Sequence, residues 1–168
     1  MRLLAEEKKT GTLELLTTKP VRDVEIVLGK FLAAWTLLVA ALAPTLIYLI
    51  SIMVLGKPEV GPVVTGYVGL LLMGAVYIGI GLFASSLTEN QIIAFIIAFL
   101  IVLALFMMDK VLMFVPSGLA STVEFLGIDY HFSNIARGVI DSRDVIYFCS
   151  PIGFSLMMAT VSLERRKW

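Results

Sequence analysis

The hydrophobic and polar residues of this chain are segregated into long blocks. Four uncharged and mostly apolar runs occupy residues 31–56, 60–88, 90–108 and 145–163. Each has about the 20 residues that a helix needs to cross roughly 30 Å of hydrocarbon. Because a backbone in lipid must satisfy its own hydrogen bonds, runs of this length predict helices and not barrel strands. The pattern therefore predicts an all-α, polytopic membrane bundle with about four transmembrane helices.

The first apolar run is longer than a bilayer is thick. A helix is expected to begin near Pro20, a residue suited to a first turn, and Asp23 and Glu25 follow where carboxylates favour the positive end of the helix dipole. Pro44 should kink this helix, since proline lacks the N–H of a regular turn. We place the four spans at about 24–55, 62–86, 91–113 and 143–163, within a domain of residues 20–168 that follows a polar segment, 1–19.

Small residues recur along the second span. Ala75 and Gly79 form one pair at a four-residue spacing, which permits close helix contact. Packing inside the bundle is the favoured interpretation of this pair, and a dimer face is the alternative.

Residues 109–144 are neither a clean span nor a plain loop. Short apolar stretches alternate with polar residues and with Pro116 and Gly118. Stretches this short cannot cross a membrane, and 35 residues without secondary structure are uncommon in a compact fold. We therefore predict an outer re-entrant or interfacial helical segment at about 110–141, broken near residues 116–118.

The same segment holds the chain's only histidine. His131 with Asp129 suggests a metal or proton-relay site, but one imidazole and one carboxylate are a poor ligand set, so we predict no metal. Arg137 and Asp141 are four residues apart, a spacing that predicts an ion pair on one helix face.

Composition agrees with the apolar pattern. The chain is 59% hydrophobic with a mean hydropathy of +0.96, which is typical of an integral membrane protein. Thirteen basic and thirteen acidic residues cancel, so charge gives no argument for a nucleic-acid partner. We find no glycine-rich phosphate loop, metal-ligand cluster or nucleophile–base pair, and therefore predict neither a catalytic site nor a bound cofactor.

Basic residues are concentrated near the two ends of the chain. By the positive-inside rule, this distribution places both ends in the cytoplasm, and an even number of spans agrees with it. The turn at 56–62 and the segment at 109–144 are then outside, and the turn at 85–91 is inside. The basic residues concerned are Lys8, Lys9, Lys19, Arg22 and Lys30 before the first span and Arg165, Arg166 and Lys167 after the last.

A charged, helix-prone segment precedes the first span. It reads EEKKTGTLELLTTKP over residues 6–20, with Gly11 interrupting the helical pattern and a short leucine-rich helix following. Two interpretations stay open from these residues alone. One is a contact for a cytoplasmic partner, and the other is an ordinary amphipathic helix at the membrane surface.

The extended sequence EEKKTGTLELLTTKPVRDVEIVLGKF resembles the cytoplasmic loop of ABC-2 type transporter permeases. It carries the pattern E-x-x-x-G-T-x-E-x-L-x-x-x-P, followed by the G-K that begins the next span. The likeness is to gliding-motility and nitrous-oxide-reductase accessory permeases of bacteria. The C-terminal sequence RGVIDSRDVIYFCSPIGFSLMMATVSLERRKW is similar to the last span of those permeases, so the resemblance covers nearly the whole chain.

The resemblance implies a coupling helix at residues 12–18 that docks on a separate cytoplasmic ATP-binding subunit. ATP and Mg²⁺ would be bound by that subunit and not by this chain. A second permease chain would complete a homodimer or heterodimer in the lipid of the inner membrane. The residues that we expect at the contact are Glu6, Glu7, Gly11, Thr12, Leu13, Glu14, Leu15 and Leu16.

Permeases of this type have six spans, with the coupling loop between the second and third. The resemblance therefore implies that an elbow helix and the first two spans are missing from this chain. An alternative function is that of a small membrane scaffold whose charged segment binds a partner without ATPase activity. An intramembrane enzyme is a weaker alternative, since Lys57, Glu59 and Glu89 all fall in predicted turns and not deep in the spans.

Overall fold

The computed structural model describes residues 4–5, 22–56, 59–111 and 125–164, with the backbone only at 109 and 111. The secondary structure in these ranges is helical. It comprises α1 (Asp23–Leu42), a 3-10 turn (Ala43–Thr45), α2 (Leu46–Leu55), α3 (Val60–Leu87), α4 (Gln91–Val111), α5 (Ile128–Ala136) and α6 (Ser142–Glu164). Four helical stretches are long and apolar enough to cross a membrane. The predicted all-α bundle with about four transmembrane helices is confirmed.

The helices α1 and α2 form one interrupted span, Asp23–Leu55. A 3-10 turn that contains Pro44 interrupts the α-helix at the position where the kink was predicted. Thr45 closes the turn by donating from its hydroxyl to the carbonyl oxygen of Leu42 at 2.6 Å. The Thr45 and Tyr67 hydroxyl oxygens are 2.8 Å apart, which ties the break to α3.

The first helix begins at Asp23, three residues after the predicted start at Pro20, which lies outside the described residues. Arg22 has an extended backbone, and its N–H donates to the carboxylate of Glu25 at 3.2 Å. Glu25 thereby satisfies a backbone donor at the helix entry, in the manner of a capping box. The carboxylates of the first turn stand at the positive end of the helix dipole, as predicted.

The central element is α3, which packs against α1, α4, α5 and α6. In the most apolar 18-residue stretch of α3, half of the residues are buried inside the bundle. In the corresponding stretch of the first span, none of the residues is buried. Ala75 and Gly79 are both buried inside the chain. A Cβ atom at Gly79 would lie 3.4 Å from the Cβ of Ser155 on α6, so packing inside the bundle is confirmed for this pair.

The short helix α5 lies across one end of the bundle. A Cβ atom at Gly69 of α3 would approach the ring of Phe132 to 3.2 Å and Ile135 to 3.3 Å, so α5 sits directly on this glycine. Gly138 follows α5 with a φ of 93°, a left-handed conformation that favours glycine. The segment predicted at about 110–141 contains α5 in its described part, and its outer re-entrant or interfacial position stays a prediction. The predicted break at residues 116–118 lies outside the described residues.

The helices terminate at two opposite ends of the bundle. At the end that we call the Ser85 end, the start of α1 and the ends of α3 and α6 share one apolar cluster. At the opposite His131 end, α5 packs on α3 and α6, and Gly138 lies against Pro62 at the start of α3. Leu4 and Leu163, from the first and last described segments, therefore both lie at the Ser85 end.

Candidate functional site

The residues just before the predicted partner-contact segment are anchored at the Ser85 end. The backbone N–H groups of Leu4 and Ala5 both donate to the Oγ atom of Ser85, at 3.2 and 2.9 Å. Both residues are fully buried. Because a buried backbone donor without a partner is costly, this shared acceptor fixes where the N-terminal segment meets α3.

The side chain of Leu4 reinforces this anchor. It belongs to a buried cluster with Val27 of α1, Leu82 of α3, and Ala159 and Leu163 of α6. Burying one leucine side chain contributes about 1.5 to 3 kcal/mol. The chain that leads into the charged segment is therefore held against three spans at once.

A second set of hydroxyl contacts joins α3 to α6 at the same end. Ser162 donates from its hydroxyl to the carbonyl oxygen of Ser86 at 3.0 Å, and Ser86 donates to the carbonyl oxygen of Phe83 at 2.7 Å. These bonds lie one residue from Ser85. A relative movement of α3 and α6 would therefore also displace the acceptor of the N-terminal segment.

The predicted contact residues themselves, Glu6 through Leu16, lie outside the described residues. Their contact with an ATP-binding subunit stays a prediction. Sequence reasoning missed Ser85, which it placed only in a turn. Two adjacent hydroxyl residues at the end of an apolar run, Ser85 and Ser86, were the available signal for a hydrogen-bonding role.

The His131 end holds a buried ionisable pair. The Nδ1 atom of His131 lies 2.6 Å from Oδ1 of Asp144, and the Nε2 atom lies 2.9 Å from the carbonyl oxygen of Phe125. The side chains of His131 and Asp144 are only 1% and 5% exposed. The suggested pairing of His131 with Asp129 is wrong, since the Asp129 carboxylate lies 3.7 Å from Lys110 Nζ in an exposed ion pair.

The predicted ion pair between Arg137 and Asp141 is not found in the described part of the chain. The helix α5 ends at Ala136, so the four-residue spacing no longer places the two side chains on one helix face. Asp141 instead precedes α6, and its Oδ1 accepts the backbone N–H of Arg143 at 3.0 Å. This is an N-terminal capping contact.

Aromatic rings enclose the His131 imidazole. The Tyr147 ring stacks on it with centroids 3.9 Å apart and planes 20° apart, and the edges of Phe125 and Tyr130 flank it. The Tyr147 hydroxyl donates to the carbonyl oxygen of Leu126 at 2.6 Å. The ring of His131 is thus fixed by two polar contacts and one stacking contact.

A cavity of about 330 Å³ adjoins this pair. Among the described residues, no three His, Cys, Asp or Glu side chains come together as a metal site. The arrangement positions the Phe125 carbonyl and the start of α6 around the imidazole. The cavity is lined by Phe125, Tyr130, His131, Asn134, Arg137, Val139, Asp141, Arg143 and Asp144.

Known proteins resemble this chain over most of its length. The sequence profile of a family described as "ABC-2 family transporter protein" matches residues 1–166. Proteins described as "Probable multidrug ABC transporter permease YbhR", from Escherichia coli K12 and from Escherichia coli O157:H7, are each 34% identical to it over 121 residues. The match covers 72% of this chain and 30% of either relative. No solved structure matches significantly.

Proposed function

The chain belongs to the ABC-2 family of transporter proteins, and on that premise we propose that it is a transmembrane permease subunit, or most of one, of a bacterial ABC exporter. It works beside a separate cytoplasmic subunit that binds and hydrolyses ATP. The permease contributes a path through the membrane and a mechanical contact, and the chemistry belongs to its partner.

The anchor at Ser85 is the observation that carries this proposal. Leu4 and Ala5 precede the predicted coupling segment in the sequence, and both donate to Ser85 of α3. Leu4 also packs against α1 and α6. In this proposal, a movement of the coupling helix caused by a closing ATP-binding subunit reaches three spans through Leu4 and Ala5, which are buried. An amphipathic helix that merely rests on the membrane surface has no need of such an anchor.

In this proposal the Ser85 end faces the cytoplasm of a bacterium and the His131 end faces the other side of the inner membrane. The basic residues near both chain ends support that orientation through the positive-inside rule. The chain crosses the membrane several times, and α5 caps its outer end.

A second permease chain and lipid would cover the apolar surfaces that the bundle leaves open. In the most apolar 18-residue stretch of the first span, no residue is buried. In the corresponding stretch of α4, only 11% of the residues are buried. Exposed aromatic residues on α4 include Phe95, Phe99 and Phe106. We propose that part of this surface meets the second permease and the rest meets lipid.

Capture of the partner tests the proposal. The chain is co-purified in mild detergent with ATP-binding subunits encoded beside it, as wild type and as Glu14→Lys. Glu59→Lys is the matched control, because it makes the same charge change at the exposed start of α3, at the opposite end of the bundle. We expect wild type and Glu59→Lys to capture the subunit and Glu14→Lys to lose it. Equal capture by all three would overturn the assignment of the coupling helix.

A further inference from the structure

Two arginine side chains line the cavity at the His131 end. Arg137 directly follows α5, and Arg143 lies in the first turn of α6. Both residues are exposed, and in the described part of the chain neither guanidinium makes an ion pair. Because an arginine side chain is not deprotonated in proteins, two positive charges border this cavity without a carboxylate bound to either of them.

The carboxylates on the cavity are engaged elsewhere. Oδ1 of Asp144 lies 2.6 Å from Nδ1 of His131, and both of these side chains are at most 5% exposed. Oδ1 of Asp141 accepts the backbone N–H of Arg143 at 3.0 Å. The exposed charged groups of the cavity are therefore two guanidinium groups and one carboxylate, an excess of positive charge that favours an anionic ligand.

The polar groups of the cavity suit a phosphate. A guanidinium group can donate two parallel hydrogen bonds to phosphate oxygens, which a single ammonium group does not match in geometry. Asn134 of α5 adds a side-chain amide that can donate a further hydrogen bond. The cavity volume of about 330 Å³ lies at the lower end of the range of roughly 300 to 1,000 Å³ for small-molecule sites, so a phosphate group fits.

Exposed apolar side chains lie beside these arginines. Val139 lines the cavity and Ile140 follows it, and both are more than half exposed. Ile146, also more than half exposed, lies three residues after Arg143 on α6, a spacing that places both on one helix face. Because α6 is long and apolar enough to cross a membrane, its charged first turn belongs at the boundary between hydrocarbon and water. A ligand at this boundary can contact the arginines and the apolar residues together.

We propose that the cavity at the His131 end binds the phosphate headgroup of an anionic phospholipid, which Arg137 and Arg143 hold. Basic pockets between membrane helices are suited to such headgroups. The acyl chains lie on the hydrocarbon side of the cavity, against Ile146. The bound lipid connects the end of α5 to the start of α6, beside the buried contact between His131 and Asp144. This inference rests on the membrane-spanning helices and does not depend on the proposed transport function.

Native mass spectrometry can count the bound lipids and rank their affinities. The full chain is purified in mild detergent and titrated with dioleoylphosphatidylglycerol, an anionic phospholipid, or with dioleoylphosphatidylcholine, whose headgroup has no net charge. We expect one phosphatidylglycerol to bind each chain more tightly than the others, and phosphatidylcholine to bind more weakly at this site. Equal affinity for the two lipids would overturn the proposal, because the arginines would then select no anion.

Variants of the two arginines locate the site. In Arg137→Gln/Arg143→Gln, the affinity for phosphatidylglycerol should fall at least about tenfold, since each cation near a membrane surface contributes about 1 kcal/mol to anionic lipid binding. Lys110→Gln is the matched control, because it neutralises another exposed basic side chain, at the end of α4 and outside the cavity lining. It should bind phosphatidylglycerol as the wild type does. The single variants Arg137→Gln and Arg143→Gln should each lose part of the affinity, which keeps the proposal testable if the double variant does not fold.

Unchanged binding in the arginine variants would overturn the proposal. An equal loss in Lys110→Gln would also overturn it, because binding would then follow the total charge and not this cavity. Inorganic phosphate separates a lipid from a free anion. A millimolar excess of it should leave phosphatidylglycerol bound to the wild type, since the acyl chains contribute apolar contacts that phosphate lacks. Displacement of the lipid by inorganic phosphate would show a site for free phosphate and would overturn the lipid assignment.

Discussion

The two ends of the bundle each bind a short segment across the ends of the spans, but they use different chemistry. At the Ser85 end, Leu4 and Ala5 are held by two neutral hydrogen bonds and an apolar cluster. At the His131 end, α5 is held by a buried pair of ionisable side chains. Apolar packing dominates the first contact, and a buried polar pair dominates the second. One chain thus fastens two short segments to the same bundle by different means.

The largest expected effect comes from removing one partner of the buried pair at the His131 end. His131→Leu leaves Asp144 buried without its partner, which typically costs about 3 to 5 kcal/mol in the free energy of unfolding. Denaturation in mixed micelles measures this loss. The double variant His131→Leu/Asp144→Leu removes both charges and should recover most of the stability. If the free energy of unfolding of His131→Leu falls by less than about 1 kcal/mol, the buried pair contributes no more than a surface ion pair does.

At the Ser85 end we expect a smaller effect that does not depend on protonation. Ser85→Ala removes the acceptor of two backbone N–H groups, so the docking of the N-terminal segment should weaken by about 1 to 2 kcal/mol. The amides of Leu4 and Ala5 should then exchange about tenfold faster, since 1.4 kcal/mol corresponds to a factor of ten. Ser51→Ala is a matched control, because the Ser51 hydroxyl bonds only within its own exposed turn. Unchanged exchange in Ser85→Ala would show that packing alone anchors the segment.

The contrast between the ends also explains which features could be predicted from the sequence. The spans follow from run length, since hydrocarbon thickness sets a minimum that few other structures meet. The break at Pro44 follows from the missing N–H of proline. These features depend on one residue or one run and on no distant contact. The division into a coupling segment, 1–19, and a domain, 20–168, stays a prediction.

The partners of polar side chains could not be predicted in this way. Asp129 is close to His131 in sequence, but residues two apart on a helix do not face each other, and α5 turns Asp129 towards Lys110. Asp144 reaches His131 only because α6 packs beside α5. Ser85 likewise has its role through a segment 80 residues away. Sequence spacing contains little information about such contacts.

A glycine on α3 tests how closely α5 must approach the bundle. Gly69→Ala places a Cβ atom 3.2 Å from the Phe132 ring, and overpacking of this kind costs about 1 to 3 kcal/mol. Alanine has a better helix propensity than glycine, which offsets part of that cost. We therefore expect the free energy of unfolding to fall by about 1 kcal/mol. At Gly66, one turn earlier, an added Cβ would meet no atom within 4 Å, and Gly66→Ala should be neutral or stabilising. Equal unfolding free energies for the two variants would mean that α5 shifts freely.

The smallest effect separates the stacking of Tyr147 from its hydrogen bond. Tyr147→Phe keeps a ring over His131 and removes the hydroxyl that donates to Leu126 at 2.6 Å. The loss in unfolding free energy should be about 0.5 to 1 kcal/mol, because Leu126 is exposed and water can replace the hydroxyl at its carbonyl. A loss above about 2 kcal/mol would mean that water does not replace the hydroxyl at the Leu126 carbonyl.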